Sequence, residues 1–199
     1  YTLWHTLSLH DALPIWQVTI RIALSEPQSF TLRLRIPPWS KQTRLLVNGE
    51  ETPVELENGY VVLHRTWSSD SRVVVHLDMR GRVESLPQVD GVPAQPFSAV
   101  MRGPVVLARD IRLGDASSIH APVDLKSGKK KDTAIELTPM DAPEGIWMAF
   151  QVPVEPVRDG EPDAITLCDY ASAGNTWDVK TSDFRVWLPD TIVDPRTGP

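Results

Sequence analysis

The sequence predicts an all-β chain made of two β-sandwich-like domains in tandem, with no catalytic barrel. Apolar and polar residues alternate with period two in several short runs, the mark of half-buried strands. Turn signals recur about every eight to twelve residues, the spacing of a β-sandwich. The 199 residues hold 18 prolines against 11 glycines, and proline at that density breaks helices and suits strand ends and turns.

Gln17–Leu24 places Val18, Ile20, Ile22 and Leu24 on one face and Thr19 and Arg21 on the other. Phe30–Ile36 alternates more cleanly, Phe30, Leu32, Leu34 and Ile36 against Thr31, Arg33 and Arg35. The intervening Ser25–Ser29, with Pro27, suits a hairpin loop, and Pro37-Pro38 stops the second strand. Leu45–Val47 runs into Asn48-Gly49 and Val54–Leu56 into Asn58-Gly59, both tight-turn signals that set hairpin register. Tyr60–Arg65 and Arg72–Met79 follow as strands, the latter with Val73, Val75, Leu77 and Met79 on one face. Beyond residue 96, Phe97–Met101 and Val105–Arg109 flank Arg102-Gly103-Pro104, and Ala134–Leu137, Trp147–Val152, Ala164–Leu167 and Phe184–Leu188 complete the strands. No run keeps a helical period; Ala171–Gly174 allows one turn at most. Lys129-Lys130-Lys131, within Ser127–Asp132, reads as a solvated loop tip.

These elements divide the chain into a β-sandwich domain at 16–84, a Pro/Gly-rich linker at 85–96, a second β-sandwich-like domain at 97–189 and a tail at 190–199 that lacks a packing pattern. Residues 1–15 read as foreign. Thr6–Ile15 is the translation of the common sequencing-adapter DNA ACT CTT TCC CTA CAC GAC GCT CTT CCG ATC, and it is set aside from fold reasoning as any processing or cloning scar would be. His5, His10 and Asp11 are set aside with it, and the open reading frame is expected to be truncated upstream.

A net charge of −6 argues against nucleic acid, whose phosphates require a basic face. No stretch approaches the roughly 18 apolar residues that span a bilayer. Cys168 stands alone, so no internal disulfide forms, and the compartment stays open. His64, His76 and His120 lie on separate segments and make no metal-ligand spacing. Cys168 has no histidine near it in sequence, and a buried structural thiol is its better reading. Asp169 and Asp178 could form a glycosidase carboxylate pair, but nothing in their spacing separates them from the other acidic residues. No phosphate-cradling glycine loop occurs. Catalytic, cofactor-binding and metal-ligating residues are therefore all assigned as none. Trp39, Trp67, Trp147, Trp177 and Trp187 could present indoles to sugars, although a sandwich tryptophan more often packs a core or a domain interface. Trp177 is the best placed, because Asn175 and Asp178 beside it supply hydrogen-bonding groups.

Several motifs occur in a specific order: Phe30–Trp39 (Phe-Thr-Leu-Arg-Leu-Arg-Ile-Pro-Pro-Trp), Val47-Asn48-Gly49, Gly59-Tyr60, Arg65-Thr66-Trp67, Met79-Arg80 and Met101-Arg102-Gly103-Pro104-Val105-Val106. This order resembles the region after the catalytic barrel in glycoside hydrolase family 127, the β-L-arabinofuranosidase-like proteins. Asp169–Trp177 and Phe184–Pro189 are similar to a C-terminal module found in many of them. The resemblance implies a parent glycoside hydrolase with an α/α barrel upstream that holds a cysteine nucleophile, an acidic partner and a Cys/Glu-ligated zinc. None of those motifs has a match here, and Cys168 sits in none, so no residue role carries over. The expected partners are that upstream barrel and a glycan, with neither nucleic acid nor membrane. Three readings follow: a non-catalytic accessory region of a glycosidase acting on plant-type glycans, a carbohydrate-binding module, or a structural sandwich unrelated to sugars.

Overall fold

A computed structural model of the chain describes residues 2–5, 16–86, 97–114, 119–125, 134–156 and 163–190. It is all-β, and the one helical element among the described residues is a single 3-10 turn at Ile111–Leu113. Two compact units divide it, Tyr1–Met79 and Arg80–Pro199.

The first unit contains β1 (Thr2–His5), β2 (Gln17–Ala23), β3 (Gln28–Arg35), β4 (Arg44–Val47), β5 (Glu50–Thr52), β6 (Leu56–Glu57), β7 (Tyr60–Trp67) and β8 (Arg72–His76). They form a five-stranded sheet, β1-β2-β8-β4-β5, and a three-stranded sheet, β3-β7-β6. The alternating faces read from the sequence meet between them: Ile22, Leu34, Ile36, Leu45, Val47, Val61, Leu63, Trp67, Val73 and Val75 form one buried cluster, with Val18, Ile20, Phe30 and Leu32 packed against it. Each large apolar side chain so buried contributes about 1.5–3 kcal/mol. Trp67 is core, its Nε1 donating to the Phe30 carbonyl at 3.0 Å. Both Asn-Gly pairs form two-residue hairpin turns, Val47 facing Glu50 and Glu57 facing Tyr60. Asn48 and Asn58 take φ of 54° and 52°, the left-handed conformation that type I′ turns require and asparagine tolerates.

One expectation fails here. Gln17–Leu24 and Phe30–Ile36 are not a hairpin: β2 pairs with β1 and β8, and β3 pairs with β7 along eight residue pairs. Ser25–Ser29 therefore carries the chain from one sheet to the other, because each strand finds its partner at long range rather than across the adjoining loop. The expected strand at Val54–Leu56 reduces to β6.

The second unit contains β9 (Gly81–Ser85), β10 (Phe97–Arg102), β11 (Val105–Asp110), β12 (Asp124–Leu125), β13 (Thr138–Met140), β14 (Ala149–Glu155), β15 (Ala164–Asp169), β16 (Phe184–Arg185) and β17 (Leu188–Pro189). They join in one nine-stranded sheet whose main path is β12-β14-β15-β11-β10-β17, with β9, β13 and β16 paired to β10, β14 and β11. A bridge between Val123 and Asp190 links the two ends of that path, so the sheet returns on itself. Inside lie Val100, Leu107, Met148, Phe150, Val152, Ile165, Leu167 and Leu188. The sequence reading ended the first domain at 84, but β9 pairs with β10 from Gly81 through Ser85, which moves the division to Met79–Arg80. Phe184–Leu188 splits into two short strands, and Ala134–Leu137 contributes only a bridge from Ile135 to Gly81. Residues 6–15, most of the 85–96 linker, the lysine run and residues 191–199 lie outside the described residues.

Candidate functional site

The segment that follows β15 carries Asn175, Trp177 and Asp178, and two buried carboxylates position it. Asp169, at the end of β15, accepts from the Met148 amide (3.0 Å) at one oxygen and from the Ser172 amide (2.9 Å) and Ser172 Oγ (2.8 Å) at the other. Ser172 Oγ in turn accepts from the Trp147 amide at 3.0 Å. Asp110, at the end of β11, takes both prongs of the Arg112 guanidinium, Nε and Nη2, at 2.8 Å each. It also accepts from the Arg112 amide at 2.9 Å and the Gly174 amide at 2.8 Å. Arg112 then reaches the Ser172 carbonyl (2.7 Å) and Asn175 Oδ1 (2.8 Å), and Asn175 Nδ2 donates to the Gly145 carbonyl at 2.9 Å. Three separate pieces of chain are clamped together this way, through charge-assisted bonds in a fork geometry that arginine suits.

The electrostatics follow from this arrangement. Burial pushes the Asp110 carboxyl up, but the Arg112 fork, the Gly174 and Arg112 amides and the guanidinium charge outweigh it, and the group sits below the ordinary carboxylate range. The same hydrogen bonds raise Arg112 against the opposing effect of its burial. Cys168 lies between the two acids in sequence space and is fully buried; desolvation first, then the charges of Asp110 and Asp169, push its thiol up to about 12. A thiol in that state is not a nucleophile. Four donors fill Asp110 and three hold Asp169, so neither carboxylate has the free, partly desolvated oxygen that general acid–base work needs. The network gives the loop its shape.

The three residues nominated for sugar contact share this loop but do not converge. Asn175 has spent its amide on Arg112 and Gly145. Asp178 holds the next turn, its Oδ1 accepting from the Lys180 amide at 2.8 Å and its carbonyl from the Thr181 and Ser182 amides. Trp177 projects alone, 90% exposed and with φ of 55°. Of the other tryptophans, Trp39 is half-buried, and Trp147 and Trp187 are partly exposed. The histidines stay apart: His64 pairs with Thr31 Oγ1 at 2.9 Å, His76 packs on the Trp16 ring at 5.2 Å between centroids, and His120 meets Asp183 at 3.1 Å. Among the described residues no three His, Cys, Asp or Glu side chains come together as metal ligands do.

Sequence reasoning missed a groove of about 730 Å3 on the second unit. Its floor is the outer face of β10 and β11, with Ala99, Met101 and Val106 pointing away from the core that Val100 and Leu107 enter. Tyr170, Phe184 and Trp187 wall it, and Glu84 and Arg185 stand at it. The only local signal was that the outward positions of β10, Phe97, Ala99 and Met101, are all apolar, and an apolar surface turned away from the core marks an interaction site.

Residues 6–79 match the family model described as "Beta-L-arabinofuranosidase, GH127 middle domain". The resemblance to glycoside hydrolase family 127 holds. Solved structures agree at the level of fold. A GH127 β-L-arabinofuranosidase from Geobacillus stearothermophilus T6 superposes with a TM-score of 0.65 at 19% identity, covering 95% of this chain and 30% of that one. The GH127 β-arabinofuranosidase BT3674 does so with a TM-score of 0.65 at 22% identity, covering 96% of this chain and 32% of its own. A third, described as a glycoside hydrolase, gives 0.62 at 22%, covering 95% and 32%. This chain thus spans about a third of the length of the GH127 structures it resembles. No curated protein matches it.

Proposed function

We propose that this chain is a non-catalytic accessory region of a β-L-arabinofuranosidase-like glycoside hydrolase acting on plant-type glycans. Its partner in this reading is an α/α barrel encoded upstream, which it packs against and stabilises and which supplies the nucleophile, the acidic partner and any zinc. The match of residues 6–79 to a GH127 middle domain carries the reading. The saturation of Asp110 and Asp169 supports it, because the buried acids of the described residues serve structure rather than bond cleavage.

Two measurements test it. Purified chain is expected to leave aryl arabinofuranosides intact; clear turnover would refute the non-catalytic role. Sequencing the gene upstream is expected to reveal a barrel in the same reading frame, and an upstream frame without one would favour a structural sandwich unrelated to sugars.

A further inference from the structure

The groove on the second unit is built for a ligand that is apolar on its faces and polar at its rim. Alternation along β10 and β9 is regular: Val100 and Val83 face the core, while Ala99, Met101 and Glu84 face outward. Phe97, Met101 and Val106 leave that outer face greasy, and Tyr170, Phe184 and Trp187 stand over it with 51%, 37% and 38% of their surface still exposed. Rings at partial exposure around a concave floor offer flat, electron-rich faces rather than a finished core. The polar groups are one acid and one base. Arg82 Nε holds Glu84 Oε1 at 2.8 Å and leaves the second oxygen to accept. The Arg185 guanidinium has no side-chain partner among the described residues.

We propose that this groove binds a neutral oligosaccharide, with Tyr170, Phe184 and Trp187 as stacking surfaces and Glu84 and Arg185 as hydrogen-bonding groups. A sugar ring presents C–H bonds on its faces, which polarise toward an aromatic π cloud, and hydroxyls around its edge, which a carboxylate and a guanidinium bind directly. Arg82 already neutralises Glu84, and the free carboxylate oxygen and the Arg185 guanidinium are left to meet hydroxyls at the ring's edge. The volume falls in the range of small-ligand sites, about 300–1,000 Å3. The walls are also fixed in advance. Phe184 lies against Gly174, where a Cβ would come within 2.5 Å of the ring, and the Gly174 amide is anchored to Asp110. Little side-chain freedom remains to be lost on binding. Trp177 does not line the groove, which stands on this unit's own side chains whether or not the accessory reading above is correct.

The test is calorimetry and tryptophan fluorescence on the whole chain titrated with cellotetraose, xylotetraose and α-1,5-arabinotetraose. At least one is expected to bind saturably. Trp187→Ala and Phe184→Ala should each weaken that binding about tenfold or more. Glu84→Gln and Arg185→Ala, which alter only polar groups at the groove, should weaken it with an unchanged circular dichroism spectrum, and so cover the case in which a ring variant misfolds. Trp177→Ala should change affinity by no more than about twofold. No binding up to about 10 mM of any of the three would overturn the proposal. So would full affinity in the groove variants, loss of affinity in Trp177→Ala alone, or a dimer that Trp187→Ala dissolves, since the groove's occupant would then be a second copy of the chain.

Discussion

Asp110 and Arg112 show how much of a loop's shape two side chains set. Asp110 is almost wholly buried and receives donors from two residues, Arg112 and Gly174, so Asp110→Ala leaves the Arg112 guanidinium without its carboxylate and the Gly174 amide without an acceptor. Breaking a buried pair from one side costs about 3–5 kcal/mol, and urea denaturation of the second unit should register a loss of that order. The pH dependence has a defined sign. Because folding lowers the Asp110 pKa, its stabilisation is complete above the unfolded value of about 4 and fades as pH falls through the lower folded value. Thermal melts below pH 4 should therefore drop steeply, and less so in Asp110→Asn. Asp190 acts with the opposite sign in part of that range, since burial raises it. Cys168 should resist thiol reagents in the folded chain and react at once in denaturant, as a desolvated thiol pushed up to about 12 must. Its inertness was readable from sequence, because a lone cysteine inside an apolar strand with no histidine near it has little else to be. The Asp110–Arg112–Asn175 relay was not readable, because Asn175 stands 63 positions from Arg112 and nothing in either stretch names the other.

At the scale of elements, alternation located the longer strands but not β5, β9, β12 or β13, and the Asn-Gly pairs located two hairpins, because both signals are local. The two turns differ in a way that only the structure shows. Asn48 Oδ1 accepts from the Arg72 amide at 2.8 Å while its own amide donates to the Arg72 carbonyl, also at 2.8 Å. Asn48 therefore ties its hairpin to β8 as well as turning it. Asn48→Ala is expected to destabilise the first unit by about 0.5–1.5 kcal/mol more than Asn58→Ala, a lost solvent-exposed hydrogen bond on top of the left-handed backbone cost both share; chemical denaturation of the two variants side by side reads the difference. Pairing across distance is where sequence reading stopped. The hydrophobic faces of β2 and β3 look like two arms of one hairpin, and only four residues separate them, yet their partners are β8 and β7. The breakup of Phe184–Leu188 has the same origin: one end is claimed by β11 and the other by β10, and no local pattern records two separate partners.

On the scale of the whole molecule, two cores share no residue. Leu45 and Leu167 are both completely buried, one in each. Leu45→Ala and Leu167→Ala should each remove about 2–5 kcal/mol, and scanning calorimetry should show each variant shifting the melting of its own unit. The run of prolines and glycines at 85–96 does not mark the division: the units part at Met79–Arg80, and that run follows β9 within the second unit's stretch of sequence.

The bridge that returns the second unit's sheet on itself sets a schedule for its synthesis. Ser98 Oγ donates to Asp190 Oδ2 at 3.0 Å across 92 positions, and β17 lies beside the first residues of β10. A nascent chain therefore cannot shut this unit until Asp190 has left the ribosome. Until then the start of β10 waits without its β17 neighbour, and a chain stopped before Leu188 should be cut by protease in pulse experiments that spare one carrying β17.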